Sequence, residues 1–290
     1  MPMRWRIGRV TVTKIVELEV TGGSRFLLPQ ATREAVLPIS WLQPDFADAA
    51  GRLKMSIHAL VVDTGERRII VDTCLGNDKE GRRIPGWNRL QTGFLGDLAA
   101  AGYPREAIDT VVCTHLHVDH VGWNTMLAEA PDGKQSWVPT FPRARYLMGR
   151  AEYGYWTRQS QRDDMRPVLA DSVAPVFDAG LVDLVDAEHR ICDEVSLVPT
   201  PGHTPGHVSV RIASSGDEAL ITGDFMHHPC QIAQPDWSST ADSDPETALR
   251  TRRRMLTLLA DAPILVVGTH FAGRTAGHVV PDGEAFRLAD

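Results

Sequence analysis

The sequence predicts an α/β protein in which polar, reactive side chains follow the ends of buried strands. Short apolar runs rich in β-branched residues are typical of such strands, and the clearest one is Ile108–Cys113 (I-D-T-V-V-C). A group of histidines and an aspartate follows it directly. In open α/β folds, ligands collect beyond the carboxyl ends of strands, where the backbone is fixed and side chains still reach solvent. The same arrangement recurs three times further along the chain.

The N-terminal third of the chain is rich in strand patterns. We predict strands near Ile7–Val20, His58–Asp63 and Arg68–Asp72, followed by a helix near Gln91–Ala101. Residues 22–56 are apolar without a clear period. They either form a loop that lines a pocket or simply cover the sheet with their side chains.

The segment after the strand Ile108–Cys113 has the composition of a metal site. It reads T-H-L-H-V-D-H-V-G-W and contains the motif His115-x-His117-x-Asp119-His120. Imidazole nitrogens and carboxylate oxygens are the ligands that zinc and its first-row neighbours prefer, and the segment contains no cysteine. A structural zinc site would instead be closed by four ligands that are commonly cysteines.

Three later strand ends supply further ligand types. The strand Val195–Pro199 precedes a loop with His203 and His207, a strand from Ala219 precedes Gly223 and Asp224, and a strand from Ile264 leads to His270. A strand at Ala144–Met148 and a helix from Ala151 separate these segments from the first cluster.

A basic run lies in a helix that we predict to begin near Asp244 and to bury Leu249, Leu256 and Leu259. The run comprises Arg250, Arg252, Arg253 and Arg254. We interpret these arginines as a solvated helix face, which is more common than a phosphate-binding site.

The composition is that of a single globular enzyme domain, which we expect to cover residues 1–290. The net charge of −7 gives no support for nucleic-acid binding. No stretch has the pattern of a signal peptide or a membrane span, so we expect no membrane partner and a cytoplasmic location. The four cysteines have no C-x-x-C spacing and are expected to be free thiols.

Taken in their order along the chain, these strand-end motifs resemble those of the metallo-β-lactamase-fold hydrolases over nearly the whole chain up to His270. The resemblance implies a four-layer αββα sandwich and two divalent metal ions, expected to be Zn²⁺, with Mn, Co and Fe as other candidates. One metal would be held by His115, His117 and His203, the other by Asp119, His120 and His270, with Asp224 bridging both. Asp72 would accept a hydrogen bond from a ligating imidazole and so fix its tautomer.

Within this family, the chain is most similar to the N-acyl homoserine lactonases and the methyl parathion hydrolase group. The resemblance implies that a metal-bridging hydroxide opens a small-molecule lactone or related ester, as in quorum quenching, with Asp119, Asp224 and His227 as catalytic residues. His227 stands where many quorum-quenching lactonases have a tyrosine, and it could donate a hydrogen bond to the oxyanion or protonate the leaving alkoxide.

Two alternative functions remain open at this point. The first is hydrolysis of organophosphate triesters or aryl esters in the manner of methyl parathion hydrolase, and the second is a non-hydrolytic iron or zinc protein. The sequence also leaves a homodimer open.

Overall fold

A computed structural model describes residues 2–129, 133–260 and 262–290. The strands are β1 (Arg4–Ile7), β2 (Val10–Thr21), β3 (Lys54–Asp63), β4 (Arg68–Val71), β5 (Thr110–Cys113), β6 (Thr125–Glu129), β7 (Gln135–Pro139), β8 (Arg145–Gly149), β9 (Val182–Val185), β10 (Val195–Pro199), β11 (Val208–Ser214), β12 (Asp217–Ile221), β13 (Ile264–Val267), β14 (Ala276–Asp282) and β15 (Ala285–Ala289). The helices are α1 (Arg33–Val36), α2 (Phe94–Ala100), α3 (Val118–Val121), α4 (Arg150–Arg158), α5 (Arg166–Val168), α6 (Ala174–Asp178), α7 (Cys230–Ala233) and α8 (Pro245–Ala260).

The chain divides into two compact units. Unit 1 comprises Met1–Glu17 and Ile57–Asp186, and unit 2 comprises Leu18–Ser56 and Ala187–Asp290. Each unit has its own principal sheet. The single domain expected over residues 1–290 stays a prediction.

The principal sheet of unit 1 has seven strands in the order β1-β2-β3-β4-β5-β8-β9. Strands β4, β5, β8 and β9 are parallel to one another. All four residues of β5 are buried, which is expected for a central parallel strand whose two faces are covered. Because parallel strands end at the same edge, the segments that follow β4, β5 and β8 start side by side.

The sheet of unit 2 has six strands in the order β10-β11-β12-β13-β14-β15. Strands β10 and β12 both pair antiparallel with β11, so they run in the same direction. Strand β13 pairs parallel with β12. The segments after β10, β12 and β13 therefore leave the same edge of this sheet.

The predicted strands and helices are present, with ends that differ by a few residues. The helix expected near Gln91–Ala101 is α2, and the strand expected to continue to Asp224 ends at Ile221. Beyond Ile221 the chain turns into a 3₁₀ helix, Gly223–Phe225. All four cysteines are free, as predicted.

The apolar segment 22–56 mainly contributes to the core of unit 2. Leu28, Leu42 and Phe46 are completely buried there, and Phe46 packs edge-on against Phe271. The end of the segment, including Pro44, lines a shallow pocket on the same unit. Covering the sheet is thus the main role of this segment.

The prediction of a solvated arginine face on α8 is wrong for one of its four members. Arg252 is 0% exposed, whereas Arg250, Arg253 and Arg254 are exposed. The helix turns by about 100° per residue, so neighbouring arginines point in different directions, and Arg252 lies on the same side as the buried Met255 and Leu256. The sequence pattern could not separate it from its neighbours.

Gly122, just after the histidine motif, is required by a close approach of two backbone segments in unit 1. A Cβ atom there would lie 1.9 Å from the carbonyl carbon and oxygen of Leu75. We expect Gly122→Ala to lower the free energy of unfolding in urea by at least about 2 kcal/mol, since rigid backbone must move. Gly96→Ala in α2 is the control, because nothing lies within 4 Å of that Cβ. Equal stability of the two variants would show that the close backbone approach does not require glycine at position 122.

Candidate metal centre

The polar cluster of unit 1 is built on the carboxyl ends of three parallel strands. Asp72 follows β4, the segment His115–His120 follows β5, and Glu152 lies in α4 after β8. The sequence alone predicted the first two of these positions. Glu152 was missed because it lies in an ordinary helical pattern.

The four side chains of the histidine motif form two close pairs. The Nε2 atom of His115 lies 3.0 Å from the Nδ1 atom of His117. The Nε2 atom of His120 lies 3.7 Å from the Oδ1 atom of Asp119. Two ligands of one tetrahedral zinc ion, each bound at about 2.0–2.1 Å, lie roughly 3.3 Å apart. Both pairs are therefore close to the separation that a shared metal ion requires.

Asp72 fixes the position of the histidine segment through three hydrogen bonds. Its Oδ1 atom accepts a hydrogen bond from the backbone N–H of Thr114, at 2.8 Å. Its Oδ2 atom accepts one from the Thr114 hydroxyl and one from Nδ1 of His120, both at 2.8 Å. The expected role of Asp72 as a carboxylate partner of a histidine is thus confirmed. The residue adopts a positive φ of 57°, a conformation that costs energy for a non-glycine residue and persists only where surrounding contacts impose it.

Glu152 is a second carboxylate that supports the same segment. Its Oε1 atom accepts hydrogen bonds from the backbone N–H of Leu116, at 3.1 Å, and from Nε1 of Trp156, at 2.6 Å. The Trp156 ring in turn packs edge-on against the imidazole of His117, with centroids 5.2 Å apart. Glu152 is 1% exposed, so this support is fully buried.

The polar cluster of unit 2 is built in the same way. His203 follows β10, Asp224 follows β12 and His270 follows β13, all at one edge of the sheet. His227 comes one short turn after Asp224, and its backbone N–H donates to Oε1 of the buried Gln231 at 2.7 Å. All four cluster side chains are nearly fully buried.

Three imidazoles of unit 2 surround the carboxylate of Asp224. Its Oδ2 atom lies 3.5 Å from Nε2 of His203 and 3.3 Å from Nε2 of His227. Its Oδ1 atom lies 3.2 Å from Nε2 of His270. The donor atoms of His203, Asp224 and His227 all lie within 4.8 Å of one another. The two carboxylate oxygens therefore face different histidines, as a bridging carboxylate would.

The hydrogen bonds on the far side of these rings fix their tautomers. Nδ1 of His270 faces the carbonyl oxygen of Ser56 at 3.1 Å, so this nitrogen carries the proton. Nδ1 of His203 donates to the Asp242 carboxylate at 3.0 Å. In the neutral rings, Nε2 is then a bare acceptor that points at another acceptor, the Asp224 carboxylate. Such an arrangement fits a cation between its members.

Hydrogen bonds also fix the tautomers of two histidines in unit 1, His115 and His120. The Thr114 hydroxyl donates to Asp72 and so accepts from Nδ1 of His115, at 3.1 Å, while Nδ1 of His120 donates to Asp72. Both rings leave Nε2 unprotonated and directed at the other cluster members. The donor set of each unit therefore fits a divalent metal ion, and ligands oriented in this way are typical of zinc sites.

His207 has a different use from the other histidines of unit 2. Its Nδ1 atom donates to the carbonyl oxygen of Thr200, at 2.9 Å, and its Nε2 atom accepts from the backbone N–H of Asp224, at 2.7 Å. Gly223 makes this contact possible, because a Cβ atom there would lie 2.5 Å from His207 Nε2. His207 thus fixes the backbone that carries the Asp224 carboxylate.

His228 is likewise committed to structural hydrogen bonds. Nε2 donates to the carbonyl oxygen of Phe46, at 2.9 Å, and Nδ1 accepts from the backbone N–H of Cys230, at 3.0 Å. Complete burial lowers the pKa of His228 to about 4, so the ring is neutral at physiological pH. By contrast, the ring nitrogens of His227 make no hydrogen bond within the described residues.

Asp242 is a functional residue that the sequence did not reveal. Its side chain is 1% exposed, and besides His203 it accepts a hydrogen bond from the backbone N–H of Ser239. Burial raises the pKa of Asp242, while the nearby His227 and Arg252 act in the opposite direction. Because 39 residues separate His203 from Asp242, no local pattern marks this pair.

From the sequence, five aromatic side chains could accept an acyl chain or an aryl group, and part of this set lies in the core: Trp41, Phe46, Trp87, Trp123 and Phe271. Phe46 and Phe271 are 0% exposed, and Trp123 is 4% exposed and stacks on Phe94. Trp41 and Trp87 are only half-buried. The expectation is therefore wrong for Phe46, Phe271 and Trp123, because their rings pack in the core.

Comparison with known proteins identifies the family. The family model described as the metallo-beta-lactamase superfamily matches residues 54–270, which is most of the chain and includes every predicted metal ligand. The chain belongs to the metallo-β-lactamase superfamily. It is therefore a hydrolase of a metal-dependent family, and the predicted metallo-β-lactamase fold is confirmed.

Several named relatives are similar over long stretches. The chain is 26% identical over 163 residues to a probable metallo-hydrolase of Bacillus subtilis, a match that covers 47% of this chain and 58% of that protein. It is 22% identical over 244 residues to an N-acyl homoserine lactonase of Bacillus thuringiensis, covering 79% of this chain and 87% of that enzyme.

One solved structure extends this comparison. AidC, a dizinc quorum-quenching lactonase in complex with a product, superposes with a TM-score of 0.77 at 20% identity, covering 99% of this chain and 96% of that one. Among the described residues of our protein, no helix is long and apolar enough to cross a membrane.

Asp242 provides a direct test of the far-side hydrogen bonds. We expect Asp242→Asn to weaken metal binding by about 10- to 100-fold, because His203 loses the negative charge that fixes its proton on Nδ1. Competition with a chromophoric chelator would measure this change. Asp236→Asn is the matched control, since the Asp236 side chain is 63% exposed and pairs with Arg253. Unchanged affinity in Asp242→Asn would show that the Asp242 contact does not matter for the metal.

Proposed function

We propose that the two ligand clusters together hold one binuclear metal centre, which opens a lactone or a related carboxylic ester. The observation that carries this proposal is the Asp224 carboxylate, whose two oxygens face the Nε2 atoms of different histidines. Family membership supports combining the clusters, because the matched region contains both. The proposed ligands are His115, His117, His203, Asp119, His120, His270 and the bridging Asp224.

We propose zinc as the metal. All seven ligands offer imidazole nitrogen or carboxylate oxygen, a set that suits Zn²⁺ and also accommodates Mn, Co and Fe. The structurally similar AidC is described as a dizinc lactonase, which supports this choice. When bound, the ions would polarise the scissile carbonyl and supply hydroxide near neutral pH by lowering the pKa of water.

The side chains of the protein have separate tasks in this reaction. Asp224 and Asp119 supply the negative charges that hold the ions, and Asp72 and Asp242 keep His120 and His203 in the ligating tautomer. His227 is left without hydrogen bonds to its ring nitrogens and is therefore available to a substrate. We assign it the hydrogen bond to the developing oxyanion, or the proton given to the leaving alkoxide.

The proposed substrate class is the N-acyl homoserine lactones, which would give the protein a quorum-quenching role. The lactonase relatives support this class. A histidine at position 227, where many lactonases of the family have a tyrosine, favours organophosphate triesters or aryl esters as the second candidate. Phosphotriesters differ from lactones in the electrophilic atom, and aryl esters differ from them in the leaving group, so direct substrate comparison separates the candidates.

The substrate class is tested by proton release from the zinc-loaded protein. We expect turnover of a medium-chain N-acyl homoserine lactone to exceed that of an aryl ester and an aryl phosphotriester, because the relatives are lactonases. His115→Ala should abolish it by removing a metal ligand, and His189→Ala, outside both clusters, should not. Preference for the phosphotriester would select the second candidate, and inactivity on all three substrates would contradict the proposal.

The role of His227 is tested by measuring rate and metal content together. We expect His227→Ala to lower kcat by roughly 100-fold or more while two metal ions stay bound, because a positioned acid or hydrogen-bond donor is lost. The half-buried His278 offers a matched control in His278→Ala. Loss of one metal equivalent in His227→Ala would instead make this residue a ligand, as its 3.3 Å distance to Asp224 also permits.

A further inference from the structure

Arg252 is a buried cation that neither packing nor the proposed chemistry explains. Its side chain is completely buried, although burying a charge without a close partner is energetically unfavourable. It forms no ion pair within the described part of the chain, and its Nη2 atom has no hydrogen-bond partner there. Burial lowers the pKa of Arg252, which expresses the same cost. A leucine or methionine would fill this position of α8 without the energetic cost of burying a charge.

Two hydrogen bonds connect Arg252 to the segment that carries the ligands of unit 2. Its Nη1 atom donates to the carbonyl oxygen of Phe225, at 3.2 Å, and its Nε atom donates to that of Pro235, at 2.8 Å. Phe225 directly follows Asp224 in the chain. The guanidinium therefore fixes both ends of the segment from Phe225 to Pro235, which contains His227 and directly follows Asp224.

We infer that Arg252 is a positioning residue for the metal ligands of unit 2, which it orients through its hydrogen bonds to the carbonyl oxygens of Phe225 and Pro235. The inference rests on the proposed function only in that these ligands bind a metal. A structural residue would affect stability alone. A positioning residue changes the geometry and the affinity of the metal site as well.

The test compares Arg252→Met, Arg252→Lys and the control Arg250→Met, whose exposed arginine contacts Glu246 and Thr247 on the surface. Metal affinity is measured by chelator competition, and ligand geometry by the visible spectrum of the cobalt-substituted protein. We expect Arg252→Met to bind metal at least about tenfold more weakly, with an altered cobalt spectrum. Arg252→Lys should recover part of the affinity, because an ammonium keeps the charge but not the forked geometry. Arg250→Met should match the original protein.

An unchanged affinity and spectrum in Arg252→Met, with only a lower melting temperature, would overturn the inference. If Arg252→Met does not fold, Arg252→Lys decides the question, because wild-type affinity and spectrum there would exclude a role for the forked hydrogen bonds.

A separate measurement distinguishes failure of this inference from failure of the proposed function. If the unsubstituted protein binds no metal, the proposed function fails. Amide hydrogen exchange of the metal-free protein then decides the inference, since we expect the backbone amides of Asp224 and His227 to exchange faster in Arg252→Met than in the original protein, relative to the amides of β5. Equal relative exchange rates in both proteins would overturn the inference.

Discussion

The arrangement of acceptors around Asp224 is the constraint on which the rest of the structure depends. The buried Asp224 carboxylate and the Nε2 atoms of His203 and His270 face one another at 3.2–3.5 Å. When the two rings are neutral, all of these groups are acceptors that repel one another, and the low dielectric of the interior strengthens the repulsion. A divalent cation between them would convert this repulsion into attraction. The surrounding structure can therefore be understood as what holds these acceptors in place until a cation binds.

Both units hold their ligand side chains in place in the same way. The strand ends fix the backbone of the ligands, and a buried acceptor fixes the proton on Nδ1 of four rings, those of His115, His120, His203 and His270. In unit 1 the acceptor for His120 is Asp72, and in unit 2 the acceptor for His203 is Asp242. Such a carboxylate raises the basicity of the ring as well as orienting it. The positive φ of Asp72 shows that the chain accepts backbone strain to keep its carboxylate there.

A third layer of contacts holds the segments that carry the ligands. Glu152 binds the backbone between His115 and His117, His207 binds the N–H of Asp224, and Arg252 binds the carbonyl that follows it. All three are charged or polar groups in buried positions, where each must be satisfied or cost energy. Their burial is consistent with a function that depends on ligand placement, and it explains why glycines such as Gly223 stand where a side chain would collide with a supporting ring.

The sequence by itself determined the fold family and the motifs of the candidate site, because a strand followed by a short polar loop is a local pattern. His115–His120, Asp224 and His270 all stand directly after such strands, and Asp72 could be placed by the same reasoning. Only the tertiary structure decided which residues support them. Asp242 meets His203 across 39 residues, and Arg252 differs from the exposed Arg253 only by the face of α8 on which it lies. Burial and long-range hydrogen bonds arise from how the chain packs, and no neighbouring residue in the sequence reports them.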